Sequence, residues 1–94
     1  MVRFEWDEKK NQDNRKKHGV WFEEATQVFN DPHHRFFSDE DHSEHEERYL
    51  IIGHSSKERI LIVIHAYRDV DQVVRIISAR KATKKERRFY EKRI

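Results

Sequence analysis

The sequence predicts an α+β fold, a curved antiparallel sheet packed with helices, and three observations predict it. The apolar residues cluster in a few dense runs, and three such runs follow one another in the second half with only short turns between them. Short turns between consecutive strands imply antiparallel hairpins. Helix signals stand before these runs and after them: an Asp7 cap, a Gly19 stop and a Thr83-x-x-Glu86 capping box. The predicted order is β-α-α-β-β-β-β-α, in one domain spanning residues 1–94.

The first strand is Val2–Trp6, in which Val2, Phe4 and Trp6 alternate with Arg3 and Glu5. Asp7 caps a helix that runs without a breaker to Lys16, Lys17 and His18, where cations suit the macrodipole, and Gly19 closes it. This helix has almost no apolar residues. Lys10, Asn14, Lys17 and His18 share one of its faces, which is therefore either solvated or functional.

A second helix buries Phe22, Ala25, Thr26 and Phe29 and ends before Asp31–Pro32, because proline drives the preceding residue out of the α region. Arg35–Phe37 is a short strand and Ser38–Glu46 a polar loop or hairpin end. Arg48–Gly53, Arg59–Tyr67 and Gln72–Ser78 are strands, joined by turns at His54–Glu58 and Arg68–Asp71. A regular last strand puts Val74, Ile76, Ser78 and Arg80 on one face and Val73, Arg75 and Ile77 on the other. The capping box then opens a basic helix that contains Phe89 and Tyr90.

With 35% hydrophobic and 40% charged residues and a mean hydropathy of −1.12, the chain approaches the disordered regime. Aromatics at 12%, with only 2 Gly and 1 Pro, argue instead for a small folded core. The net charge of +2 conceals an acidic stretch at 39–47 and a basic one at 80–93, a distribution that suits phosphates or a solvated helix face. There is no cysteine, which removes disulfides, thiolate nucleophiles and Cys-based zinc sites. The start of the chain lacks the apolar core of a signal peptide and no run is long enough to span a bilayer, so a cytoplasmic protein without membrane contact is expected.

Seven histidines are many for 94 residues. His42-x-x-His45 and the nearby His33–His34 have metal-compatible spacing, but in an acidic loop without cysteine a solvated stretch is the better reading, and no metal or cofactor is expected. His65 interrupts the run ILIVIHAY and shares a face with Leu61, Val63 and Tyr67. It is either a core histidine bonded to a carbonyl or a general acid or base beside Arg68. RNA can be cut without metal when its 2′-hydroxyl is activated, its leaving oxygen is protonated and cations surround the transition state. Arginine suits the last role, and Tyr67 or Tyr90 is suited to stacking a base.

The stretch FEWDEKKNQDNRKKHGVWFEEATQVFNDP resembles the opening of the BrnT toxin family, with the pattern WD-x2-K-x3-N-x2-KHG-x2-F-x2-A-x3-F-x-D. The matching residues run from Trp6 and Asp7 through Lys10, Asn14, Lys17, His18 and Gly19 to Phe22, Ala25, Phe29 and Asp31. EERYLIIG and RIISARKATKKERRFYE resemble the family's later motifs through Glu47, Arg48, Gly53, Ile76–Arg80, Ala82, Glu86 and Tyr90.

The resemblance implies a RelE-like ribonuclease toxin of a type II toxin–antitoxin system. Such a protein cuts RNA without a metal, is neutralised by a ribbon-helix-helix antitoxin and reaches operator DNA only through that partner. It implies Arg48, Arg68 and Arg80 as phosphate-binding residues, with His65 or His18 in proton transfer. Lys10, Asn14, Lys17, Arg75, Tyr67 and Tyr90 are the expected RNA contacts. The alternative is a non-catalytic module that binds nucleic acid or antitoxin as a co-repressor. An acidic antitoxin segment over the basic helix would compete with RNA, and the edge strands Val2–Trp6 and Arg35–Phe37 could accept an added strand.

Overall fold

The computed structural model describes residues 2–39, 47–68 and 72–92. Nine segments follow in the expected order: β1 (Arg3–Glu5), α1 (Glu8–His18), α2 (Phe22–Ala25) with a 3-10 continuation over Thr26–Asn30, β2 (Arg35–Ser38), β3 (Tyr49–His54), β4 (Ile60–Arg68), β5 (Val73–Lys81) and α3 (Lys84–Glu91). The loop at 40–46 and the turn at 69–71 lie outside the described residues, as do His42 and His45.

The strands form one sheet in the order β1-β5-β4-β3-β2. Consecutive pairs from β2 to β5 are antiparallel, and short connections at 55–59 and 69–72 join the last two. β1 departs from the all-antiparallel expectation, since it pairs in parallel with β5 through Arg3–Val73, Phe4–Val74 and Glu5–Arg75. A connection that passes through α1, α2 and three strands is long enough to bring the chain back in that direction.

Each sheet face carries its own apolar cluster. On one face, which we call the helical face, Val20, Phe22, Ala25 and Val28 pack on Ile51, Leu61, Val63, Val74, Ile76 and Ala79. On the other, Tyr90 of α3 packs on Ile52, Ile60 and Ile62. Arg35 holds the far end of α3: its Nη1 donates to the Phe89 carbonyl at 3.0 Å, and its guanidinium lies 4.1 Å from the centre of the Phe89 ring.

β5 is not regular. Ile64 pairs with Ser78 and His65 with Ile76, so Ile77 is an extra residue, a β-bulge. The bulge resets the alternation: Val74 and Ile76 face the helical core before it, and Ala79 after it. Arg75 pairs with Ala66 and Arg80 with Ile62, four residues apart on the unbulged β4. The expected opposition of Arg75 and Arg80 is thereby reversed, and both point to the α3 face.

α1 docks through amides rather than an apolar stripe. Asn11 and Asn14 are its buried residues. The Asn11 Oδ1 accepts the Phe22 N–H at 2.7 Å and its Nδ2 donates to Glu23 at 2.9 Å, which starts α2 beside α1. Asn14 Nδ2 donates to the carbonyls of Val20 (2.9 Å) and Ala79 (2.8 Å), while its Oδ1 accepts the Ala79 N–H at 3.1 Å. β1 reaches only Arg75, so Asn14 supplies edge bonds that a strand would otherwise make. Arg59 ties the same corner together, bonding the Gly19 carbonyl at 3.1 Å and the buried Glu24 carboxylate at 3.0 Å.

Asn14→Ala leaves three buried backbone groups without partners, at about 1–3 kcal/mol for each that water cannot reach. Urea unfolding should show a loss of at least about 2 kcal/mol. A loss within the scatter of ordinary surface substitutions would show that Asn14 does not hold α1.

Candidate nucleic-acid interface

The α3 face collects the arginines. Arg75 stands opposite Ala66, and the β3–β4 register, continued one residue past Tyr49–His65, puts Arg48 opposite Ala66 from the other side. Arg48 stays extended there, since the β2–β3 ladder runs on through the Asp39 N–H, which donates to the Arg48 carbonyl at 2.8 Å. Arg48 and Arg75 thus flank an alanine, about 10 Å apart across two strand spacings. Arg68 lies two residues beyond Ala66 on the same face and pairs with Glu5 at 3.0 Å. Ala66 itself is buried, so it is the arginines around it that the face presents.

Arg80 lies at the entry to α3. Its Nη1 and Nη2 donate to the two carboxylate oxygens of Glu86 at 2.8 and 2.9 Å. Glu86 also accepts the Thr83 N–H at 2.9 Å, and Thr83 Oγ1 accepts the Glu86 N–H at 3.2 Å, which completes the expected capping box. The Arg80 fork lowers the Glu86 pKa to about 2, against partial burial. Arg80 therefore positions the basic helix as well as adding positive charge to the face.

A second basic group stands at the open edge of β5. Lys10, Asn14, Lys17 and His18, together with Asp13, line a shallow cleft of 170 Å³ against Ile77 and Ser78. The helix face read from the sequence does form a surface, but Asn14 is spent on backbone bonds and cannot also bind RNA.

Two other expected site residues are placed elsewhere. His65 is fully buried on the helical face, opposite to the arginines. Its ring sits among Phe29, Phe36, Tyr49 and Tyr67, with centroid separations of 4.8 to 6.1 Å. Its Nδ1 lies 3.3 Å from the Val63 carbonyl, and its Nε2 has no partner among the described residues. Burial pulls its pKa down from 6.5 to about 4, only partly opposed by that carbonyl. This is the core histidine of the two alternatives, and no substrate reaches it. Tyr90 is likewise enclosed, 2% exposed, so its ring cannot stack a base; Tyr67 is 48% exposed and can.

Residues that sequence reasoning did not select close the other side of α3. Asp31, at the end of the 3-10 turn, accepts the Tyr90 hydroxyl and the His54 N–H (2.8 Å) through one oxygen, and the His33 N–H (2.9 Å) through the other. Burial would raise the Asp31 pKa, but these bonds outweigh it and hold the carboxylate below its usual range. Gly53 permits the approach, because a Cβ there would stand 2.9 Å from Asp31 Oδ2. The motif F-x-D pointed to Asp31 and the strand's closing glycine to Gly53, yet their partnership is non-local. Among the described residues, no group of three or more His, Cys, Asp or Glu side chains is placed to hold a metal ion. No helix there is long and apolar enough to cross a membrane.

A mixed sheet with cations gathered on one face and a basic helix laid across it defines an α+β protein shaped for a polyanion. The chain belongs to the family described as ribonuclease toxin, BrnT, of type II toxin–antitoxin system, whose profile matches residues 6–86. A similar fold is seen in the crystal structure of the Brucella abortus ribonuclease toxin BrnT. That protein is 24% identical, with a TM-score of 0.68 over 89% of this chain and all of the other. No curated protein matches.

Because His65 is held neutral, the unfolded chain binds its proton between pH 6.5 and about 4 while the native state does not. Native stability should therefore fall as pH drops through that window, by up to about 3 kcal/mol from this group. His65→Leu should flatten the fall in urea titrations at pH 7 and pH 4.5. An unchanged slope would place the titration elsewhere.

Proposed function

We propose that the chain is an endoribonuclease toxin that cleaves RNA without a metal and arrests translation in the cytoplasm. Family membership supports the toxin and ribonuclease parts of this reading. The observation that carries the rest is the bulge at Ile77, which brings Arg75 and Arg80 to the face of Arg48 and Arg68. Planar, permanently charged guanidinium groups grip the phosphates of a bound RNA backbone bidentately. Arg48 and Arg75 beside Ala66 grip one phosphate; Arg68, Arg80 and the exposed cations of α3 extend the track. Lys10, Lys17 and His18 hold a neighbouring stretch of backbone at the β5 edge, and Tyr67, on the helical face with His65, lies away from that track.

The partner is an antitoxin with a ribbon-helix-helix DNA-binding domain, and operator DNA is reached only through it. An acidic segment of that antitoxin laid along α3 removes the same cations from RNA. A strand added to the outer edge of β1 or β2 is the other available anchor, since these strands end the sheet.

Purified protein incubated with single-stranded RNA and chelator should produce discrete fragments. Arg48→Ala and Arg75→Ala should each lower cleavage by at least about tenfold, and each should reduce the salt dependence of RNA binding by about one phosphate contact. Tight binding with no fragments would replace this reading with that of a co-repressor module. Unchanged cleavage in both variants would remove the arginine face from the site.

A further inference from the structure

The arginine face also carries a strand histidine. Arg48, Leu50, Ile52 and His54 alternate along β3 on the α3 side, and His54 ends the strand exposed. Its ring stands edge-on to Tyr90, with centroids 5.4 Å apart at 82°, and its Nδ1 lies 3.2 Å from the Tyr90 hydroxyl oxygen. That hydroxyl donates to Asp31, which also accepts the backbone N–H of His54. One carboxylate thus fixes both the ring's strand position and the ring's hydrogen-bond partner.

The protons determine the tautomer. Asp31 is held ionised by its three donors, so it can only accept. Tyr90 has a single proton and gives it to Asp31. Its oxygen is then an acceptor, and His54 Nδ1–H, at 3.2 Å, is placed to donate to it. In the neutral ring the lone pair is left on Nε2, which has no hydrogen-bond partner among the described residues. The same logic orients the imidazole of a hydrolase triad, where a carboxylate behind the ring fixes which nitrogen is basic.

His54 borders a cleft of 370 Å³ between α3 and the ends of β3, β4 and β5, which is also lined by Glu58, Arg59, Lys81, Arg87 and Glu91. The Arg59 guanidinium is turned away to Glu24 and the Gly19 carbonyl. Lys81 and Arg87 remain as the cations for a phosphate, with Glu58 and Glu91 as the opposing carboxylates.

We propose that His54 is the base that takes the 2′-hydroxyl proton of RNA, with Tyr90 and Asp31 as positioning residues behind it. This rests on the ribonuclease reading above and adds the proton acceptor that His65 cannot be. The O2′–H bond breaks as its proton passes to His54 Nε2, and the freed electron pair forms the O2′–P bond. The P–O5′ bond breaks, its electron pair leaves on O5′, and that oxygen takes a proton from water. The products are a 2′,3′-cyclic phosphate and a 5′-hydroxyl end. The phosphate lies between Lys81 and Arg87, and the flanking backbone continues over α3 toward the arginine face.

The experiment uses the purified full chain and a single-stranded oligoribonucleotide, with a fully 2′-deoxy version as a binding probe. His54→Gln and His54→Ala should lower cleavage at neutral pH by about 10²–10⁴-fold and remove the fall in rate on the acid side. Binding of the deoxy probe should stay within about threefold, and the far-ultraviolet circular dichroism should be unchanged. Tyr90→Phe should lower the rate and shift the acid limb while leaving probe affinity alone, a change that a packing role would not produce. Nitrogen-15 spectra of the wild-type protein should show His54 protonated on Nδ1 and free on Nε2. Wild-type cleavage that persists within about threefold in both His54 variants, with its acid limb, would overturn this inference and leave the ribonuclease reading standing. The opposite tautomer would overturn it without any activity measurement. An inactive wild-type protein would overturn both.

Discussion

The fold depends on one amide. Asn14, on a helix with almost no apolar surface, gives both ends of its side chain to the backbone of Ala79 and a further bond to Val20. A helix docked by hydrophobic contact can slide or rotate by a fraction of a turn at little cost. A helix docked by a fork of directional bonds to a strand edge has one position. Asn11 repeats the device toward α2, so the helical layer is located by polar geometry and only then sealed by Phe22, Ala25 and Val28. Buried amides of this kind are stabilising only when every partner is supplied, and here they are. The cation-rich outer surface of α1 is free to vary because docking takes nothing from it.

The same corner of the molecule fixes the chemistry of the other face. Ala79 is the residue at which β5 regains its alternation after Ile77, so the bond from Asn14 and the bulge stabilise one another. Without the bulge, Arg80 would point into the apolar helical core, where an unpaired guanidinium is prohibitively costly. With it, Arg80 reaches Glu86 and sets the start of α3. The placement of the basic helix therefore follows from an irregularity one turn of chain earlier.

The sequence discloses those features whose causes are local. Asp7, Gly19 and Thr83–Glu86 act within a few residues of themselves, and the structure uses each as a cap. The runs RYLIIG and RILIVIHAY read as strands because each is packed from both faces and is therefore apolar almost throughout. What the sequence conceals is non-local: the parallel return of β1, the bulge, and the partners of Asn14 and Asp31. Periodicity cannot report an inserted residue that is as apolar as the one before it, as Ile77 is beside Ile76. For the candidate site, the residue types were legible but their sides were not. His65 and Arg68 are three apart in an unbulged strand, which places them on opposite faces, and only burial decides which face is open.

The parallel pairing of β1 with β5 also orders events in time. Arg3–Glu5 cannot find its neighbour until Val73–Arg75 has been synthesised, and α1 cannot be pinned until Ala79 follows. Both are contacts of very long sequence separation, the kind that forms late and slowly. A growing chain therefore has its hairpins before it has its N-terminal layer. This topology withholds the assembled arginine face and the pinned helical layer until β5 has been made.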